Sequence, residues 1–411
     1  LFWNSGEGRG ENMKKYVIIG NGVAGATAAG IIKKNDGDGS ITIFSEEPEP
    51  FYYRPRLPDF MAGEVKLPRF TLQDRDWYSS RNIDLRLSES VSEVDTSSKV
   101  VKPEKGDEVS YETLLLAAGA RSFIPPIPGT EKSGVFALRD ITDARAIAKY
   151  AEGVKEATLV GGGLLGLEAG YGLTRLGIKV NVVEFFDRLL PRQMDGPGSL
   201  TLKKILENMG FSFYLGAKVK EILGEKEAQN LALEDGQILP GRMILFSAGI
   251  RPNLDLAQSM GLEVDKGVKV NDHLMTSQDG VWAAGDLIEF EGRIYGIWPA
   301  ASAQGEIAGT NMAGGDAVYH GTVLSNSLKV VGVDLTSAGE IDPDGKFEAA
   351  VFEDEGVYRK IVVEDGRIKG FIFLGQTSGV KECQAALEQE KDIGSLIKEM
   401  GEKDFDFSKM T

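Results

Sequence analysis

Tyr16-Val17-Ile18-Ile19-Gly20-Asn21-Gly22-Val23-Ala24-Gly25 is the stretch that decides the architecture. Four apolar residues, three of them β-branched, read as a buried strand. Gly20, Gly22 and Gly25 then stand at the spacing of a strand-to-helix turn that cradles a diphosphate. A small-residue helix, Ala26 to Lys34, and a second strand, Ile41 to Phe44, come next. The first glycine makes the tight turn. The second leaves no Cβ between backbone and diphosphate, and the third lets helix and strand pack closely. Free amides at the helix N-terminus offer partial positive charge to the anion.

The same unit recurs. Ala157-Thr158-Leu159-Val160 runs into Gly161-Gly162-Gly163-Leu164-Leu165-Gly166, then a helix Leu167 to Leu176 and a strand Lys179 to Val183. With 51 glycines in 411 residues, roughly 0.7 chance matches to such a motif are expected, so one copy alone is weak evidence. Two copies, each between a strand and a helix, leave little room for plain packing glycines. An acid about 20 residues on should hold ribose hydroxyls. Glu184 fills that place in the second copy. Glu46 fills it in the first, with Glu47 beside it as a rival. The expected fold is α/β, with two Rossmann-like dinucleotide-binding domains and a small C-terminal α+β domain.

Glu184 bears on the choice of coenzyme. At about 4 Å and an effective dielectric of 20, a 2′-phosphate charge beside it costs roughly 4 kcal/mol before screening. No Arg follows until Arg188. NADH is therefore expected over NADPH.

Further segments carry a resemblance: Ser45-Glu46-Glu47-Pro48 leading to Tyr52-Tyr53-Arg54-Pro55-Arg56-Leu57; Leu114-Leu115-Leu116-Ala117-Ala118-Gly119-Ala120; the second glycine motif with Glu168; Ala248-Gly249-Ile250-Arg251-Pro252-Asn253; and Val281-Trp282-Ala283-Ala284-Gly285-Asp286. On these residues the chain resembles the two-dinucleotide flavoprotein reductases. Within them it is similar to the NADH:rubredoxin oxidoreductase and nitrite reductase large-subunit group. The resemblance implies that Gly20, Gly22, Val23, Ala24 and Gly25 bind FAD. It implies that Gly161, Gly163, Leu164, Leu165, Gly166 and Glu184 bind NADH. Glu46 would take the adenosine ribose and Asp286 the flavin ribitol. Arg54 and Pro55 would lie along the flavin and its pyrophosphate. Trp298 and Gln304, the latter in a helix Ala303 to Met312, would border the isoalloxazine. Ala118, Gly119 and Gly249 would also face cofactor. Glu168 would sit near the nicotinamide–flavin contact, making it and Arg54 the candidate catalytic residues. Some relatives carry a Lys shortly after the Arg-Pro pair, where this chain has Pro58-Asp59. A cation near the flavin ring would then have to come from Arg56.

Sulfur and charge exclude other classes. A single cysteine, Cys383, rules out a Cys pair, a disulfide framework, a Cys-ligated zinc site and an iron–sulfur cluster. No thiol relay can pass electrons, so a flavin must deliver them outward. The formal charge of −16 disfavours a nucleic-acid partner. No apolar run is long enough to span a membrane. His273 and His320 lack partners at metal-ligand spacing, so no metal site is expected.

The expected layout is a disordered leader 1–12 with Met13 as the natural start, an FAD domain 13–121 and 247–320, an NADH domain 122–246, and a C-terminal domain 321–411. In that last region strands are read at Leu328 to Leu335, Phe347 to Phe352, Tyr358 to Val363 and Ile368 to Leu374. A hairpin turn is read at Asp365-Gly366 and a helical pattern at Lys381 to Met400. The region holds 18 acids and 11 bases, whereas Arg54 to Arg86 carries six Arg and Lys66 against five acids. The latter is a candidate acceptor patch or a mixed solvated face. The expected protein is a cytoplasmic FAD-dependent NADH reductase, monomer or homodimer, passing electrons to rubredoxin, ferredoxin or a similar carrier. Its rivals are an NADH oxidase-type flavoprotein and a redox-sensing protein that binds both nucleotides with little turnover.

Overall fold

The computed structural model describes residues 13–322, 325–330 and 332–410; the expected leader lies outside them. Alternating apolar strands and small-residue helices build two five-stranded parallel sheets. In the first, the strand order is Val281–Ala283, Thr113–Leu116, Lys15–Ile19, Ser40–Ser45, Ile83–Leu87. In the second it is Val135–Ala137, Ile244–Phe246, Glu156–Val160, Lys179–Glu184, Phe211–Leu215. The register repeats as well. Ile19 lies opposite Phe44 and Leu116, and Val160 lies opposite Val183 and Phe246. The duplication read from two short motifs thus extends to whole sheets. Only the edge strand beyond Thr113–Leu116 or Ile244–Phe246 differs in origin, arriving last in the first sheet and first in the second.

Strands Lys15–Ile19 and Glu156–Val160 are buried over all but their first residue, as expected where helices cover both faces of a parallel sheet. The first glycine helix, Val23–Asn35, lies against Trp298–Met312 at backbone contact distance. A Cβ on Gly305 would come within 2.4 Å of the Ala24 carbonyl oxygen, and one on Gly309 within 2.8 Å of that of Ala28. Trp298–Met312 starts five residues earlier than the sequence suggested, with Pro299 in its first turn, where proline suits a helix start.

The chain divides into two compact units. One holds the first sheet and comprises the residues up to Arg54, Lys66–Arg121 and Ile250–Thr322. The other holds the second sheet and comprises Pro55–Val65, Ser122–Gly249 and the residues after Thr322.

The C-terminal residues form an antiparallel sheet in the order Ser325–Val330, Val333–Gly339, Arg367–Leu374, Val357–Glu364, Glu348–Asp354. Two expectations are corrected here. The single strand read over Leu328 to Leu335 is the meeting of two paired strands, because Gly332 takes a left-handed φ of +78° that folds them together. The helix read over Lys381 to Met400 breaks after Val380–Glu388 and resumes only at Ile397–Met400. Between them Asp392 bridges to Arg367, and the Ile393 amide bonds the Gly366 carbonyl at 2.7 Å. Pairing with the sheet therefore outcompetes the helix. Asp365 and Gly366 both have positive φ, +51° and +75°, as a two-residue hairpin requires.

Candidate functional site

The two glycine turns are superimposable in their constraints. Gly20 and Gly161 both take φ +111°, and a Cβ on either would lie 2.2 or 2.3 Å from a carbonyl oxygen, of Ala117 or Ser247. A Cβ on Gly25 would meet the Gly20 oxygen at 2.0 Å, and one on Gly166 the Gly161 oxygen at 2.6 Å. These four glycines are required by the protein itself. Gly22 and Gly163 are different. They cap their helices at ordinary φ of −82° and −79°, and a Cβ on either would meet nothing within 4 Å. Nothing inside the protein demands glycine there. A diphosphate drawn up to the backbone would demand it. No side chain caps either helix, Val23–Asn35 or Leu164–Arg175, so Val23, Ala24, Leu164 and Leu165 begin helices whose first amides are open to an anion.

Around the first turn, the ends of neighbouring strands gather the other candidates. Ala118 and Gly119 (φ +64°) are pinned by Asn253, whose Nδ2 donates to the Ala118 oxygen at 2.8 Å and whose amide donates to the Gly119 oxygen at 3.0 Å. Gly285, at φ +90°, gives its amide to Gln304 Oε1 at 2.8 Å and turns the chain into Asp286. Gln304 is only 1% exposed, and its Nε2 also donates to the Tyr319 hydroxyl at 3.1 Å. It braces the Asp286 turn against the helix. Trp298 stacks on Phe51 (5.6 Å between centroids, 20° between planes) and meets Tyr53 edge-on at 4.9 Å. Arg54 pairs with Glu47, which also accepts from the Tyr52 hydroxyl. Glu47, the rival acid, is thus engaged, while Glu46 is exposed immediately past strand Ser40–Ser45. By register it is Ser45, not Glu46, that occupies the place of Glu184. Pro55 sits exposed in the short turn Arg54–Arg56.

Asn21 was not singled out from the sequence. Its Oδ1 accepts from the buried Tyr78 hydroxyl at 2.9 Å, and its Nδ2 is buried without a hydrogen-bond partner among the described residues. That leaves a buried donor inside the glycine turn, which an acceptor from outside the protein, a water or a ligand oxygen, would satisfy. The signal was there to read, as the polar residue between the first two glycines.

At the second turn, Glu184 is 6% exposed. Its Oε2 accepts the Gly162 amide at 2.5 Å and its Oε1 the Phe186 amide at 2.9 Å. Gly249 follows strand Ile244–Phe246 at φ +96° with open space where a Cβ would be, as Gly119 follows Thr113–Leu116. Glu168 lies on the glycine helix Leu164–Arg175, and the short helix Leu57–Met61 packs against that helix at Gly172. Burial first, and the Asp59 charge second, push the Glu168 carboxyl up to about 7. Burial acts the same way on Asp59, but hydrogen bonds from Arg175 and Arg56 outweigh it and hold that carboxyl below its usual value. Arg56, the one residue from which a flavin-side cation would have had to come, is paired with Asp59 at 2.6 Å.

Other parts of the basic stretch are paired too, Arg86 with Asp84 at 2.9 Å and Arg54 with Glu47. Cys383 is fully buried and its thiol is pushed by burial up to about 12. His273 lies between Asp272 and Asp316 at 2.7 and 2.8 Å. Among the described residues no group of acids, histidines and cysteine could hold a metal, and no helix is long and apolar enough to cross a membrane.

Comparison with known proteins bears on this geometry. The family model for pyridine nucleotide-disulphide oxidoreductases matches residues 14–305, and that for the rubredoxin NAD+ reductase C-terminal domain matches 325–391. The chain is 36% identical over 389 residues to a nitrite reductase [NAD(P)H] of Bacillus subtilis, covering 94% of this chain and 48% of that protein. The chain thus spans about half the length of that relative. It is 28% identical to the NADH-rubredoxin oxidoreductase of Clostridium acetobutylicum, covering 93% of this chain and 96% of that one. Among solved structures, a NAD-dependent persulfide reductase from A. fulgidus superposes with a TM-score of 0.85 at 28% identity, over 93% of this chain and 78% of that one. The chain belongs to the pyridine nucleotide-disulphide oxidoreductase family, close to its NADH:rubredoxin oxidoreductase and nitrite reductase group.

Proposed function

We propose that the chain is a cytoplasmic FAD-dependent NADH reductase that hands electrons to a small one-electron carrier protein such as a rubredoxin or ferredoxin. The observation that carries this reading is the pair Gly22 and Gly163, two glycines with open space where a Cβ would be, at matching places in two matching sheets. The first domain, 13–121 with 247–320, would hold FAD, and the second, 122–246, would hold NADH, with 321–411 appended. Bound FAD would supply the chemistry of accepting a hydride and releasing electrons singly.

The chain's own residues bind and orient. Gly20, Gly22, Val23, Ala24 and Gly25 would receive the FAD diphosphate, with Asn21 Nδ2 as an added donor. Glu46 would hold its adenosine ribose and Asp286 its ribitol. The Arg54–Glu47–Tyr52 cluster and Trp298 would line the path to the ring, with Ala118, Gly119 and Gln304 as its walls. Gly161, Gly163, Leu164, Leu165 and Gly166 would receive the NADH diphosphate, Glu184 its ribose, and Gly249 would leave room beside it. Glu168 would lie at the nicotinamide end, able to hold or release a proton near neutral pH. Buried Cys383 leaves no dithiol to serve as an internal acceptor, which favours delivery to an external partner.

The test is purification followed by anaerobic mixing of the NADH-reduced protein with a panel of rubredoxins and ferredoxins. The expected results are a yellow protein with one FAD per chain and carrier reduction far faster than dioxygen reduction. A colourless protein that cannot be reconstituted with FAD, or turnover with dioxygen as fast as with any carrier, would overturn the reading.

A further inference from the structure

Strand Val357–Glu364 reads Val-Tyr-Arg-Lys-Ile-Val-Val-Glu, yet both cations in it are buried. Alternation along a strand sends neighbours to opposite faces. Arg359 and Ile361 face the C-terminal helical core, where Arg359 donates to the carbonyls of Met400 and Glu402 at 2.8 and 2.5 Å. Tyr358 and Lys360 face the other way, toward Asp195 at the start of helix Gly196–Glu207.

A buried path leads from these two residues to the second glycine turn. The Tyr358 hydroxyl donates to Asp195 Oδ2 at 2.6 Å, and Lys360 Nζ lies 3.2 Å from the same oxygen while donating to the Asp342 carbonyl at 2.6 Å. Asp195, 4% exposed, caps its helix by accepting the Gly198 amide at 3.1 Å. In the same helical turn, Ser199 Oγ accepts the Leu189 amide at 2.8 Å. A Cβ on Gly162 would meet Leu189 Cδ2 at 2.9 Å, so that side chain seats directly on the glycine turn. The Leu190 amide points at the Gly162 oxygen (3.4 Å), and Leu190 itself is held at φ +49°. A branched residue keeps that conformation only where its surroundings over-determine it. A buried ion pair is seldom the best way to gain stability, since apolar residues of similar volume serve as well or better. Its use here calls for a geometric reason.

We infer that Tyr358 and Lys360 are positioning residues for the nucleotide site: through Asp195 they hold the loop 185–194 on Gly162 and so set how tightly the second glycine turn binds a dinucleotide. The inference rests on the reading that this turn takes NADH. It gives the C-terminal domain a part in nucleotide binding without any contact with the nucleotide.

The test uses the intact flavin-loaded protein and calorimetric titration with ADP-ribose, which carries the diphosphate and ribose but no redox group. Tyr358→Phe and Lys360→Met should each weaken ADP-ribose binding about fivefold or more and raise KM for NADH with little change in kcat. Arg359→Met, which disturbs the opposite face of the same strand, should lower Tm without moving ADP-ribose affinity. Unchanged binding in the first two variants, or an equal loss in Arg359→Met, overturns the inference alone. A wild type that does not bind ADP-ribose overturns the NADH reading and the inference with it. Should either variant fail to fold, hydrogen exchange on the wild type decides. ADP-ribose should slow exchange in the peptides 185–199 and 357–364, because coupling is reciprocal. Protection confined to the glycine turn would overturn the inference.

Discussion

The Gly162 amide donates to Glu184 Oε2 at 2.5 Å, so the acid that closes strand Lys179–Glu184 is fastened to the middle of the second glycine turn. That hydrogen bond, with the one from the Phe186 amide to Oε1, fixes the orientation of the Glu184 carboxylate. A 2′-phosphate brought to about 4 Å would meet roughly 4 kcal/mol of repulsion at an effective dielectric of 20. The wild type should therefore prefer NADH. Glu184→Ser should raise the NADPH-to-NADH ratio of kcat/KM at least ~10-fold, the equivalent of about 1.4 kcal/mol. It should also lower Tm, since the buried Gly162 amide loses its acceptor at about 1–3 kcal/mol. An unchanged coenzyme ratio would show that discrimination lies elsewhere.

The glycines should separate by role. Gly22→Ala and Gly163→Ala meet open space at ordinary φ, so both should fold with Tm close to wild type. The first should lose FAD on gel filtration. The second should keep FAD and show a raised KM for NADH. Gly20→Ala forces a Cβ to 2.2 Å from the Ala117 oxygen at φ +111° and should yield little soluble protein. Equal behaviour of all three would refute the division into protein-required and ligand-required glycines.

Glu168 predicts a pH signature. Its carboxyl is raised from 4.5 to about 7 by burial and then by Asp59. Between those values the native state binds more protons than the unfolded chain, so stability falls as pH rises through the window and is full only below it. The loss saturates above about 7, at up to about 3 kcal/mol. Glu168→Gln should flatten this slope, and Tm measured at pH 5 and pH 8 should differ less in the variant than in the wild type. An unchanged difference would place the titrating group elsewhere.

Cys383 should be silent. It is buried, and its thiol is pushed by burial up to about 12, so the nucleophilic thiolate is scarce. Iodoacetamide should leave native NADH-dependent turnover untouched and label the residue only on denaturation. Cys383→Ala should retain kcat while losing about 1 kcal/mol of stability from the C-terminal core. Loss of turnover with retained flavin would bring a thiol back into the electron path.

Much of the frame was legible locally. Strand, glycine turn, helix and acid succeed one another within about 30 residues, and each signal depends on backbone sterics or side-chain alternation near in sequence. That is why the two Rossmann-like units and the Asp365-Gly366 hairpin could be read from the chain. Competition between elements could not. Residues 389–396 carry a helical pattern, but pairing of Asp392 with Arg367 breaks it. Pairing energy depends on a partner strand 25 residues away, which no local pattern contains.

The charged residues show the divide most sharply. Sequence alone determined that two strand–glycine turn–helix units of one pattern exist, because Gly22 and Gly163 are each defined by the strand before them and the helix after them, all within a few residues. Only the tertiary structure decided that Arg359 and Lys360, adjacent and alike in the sequence, are both buried and serve opposite faces. It likewise decided that Glu47 is taken up by Arg54 and Tyr52, and that Asn21 carries a spare buried donor. Burial and pairing of a charge depend on groups brought from distant segments, such as Asp195 and Asp342 around Lys360. The low dielectric that makes those pairings decisive exists only once the chain has closed around them.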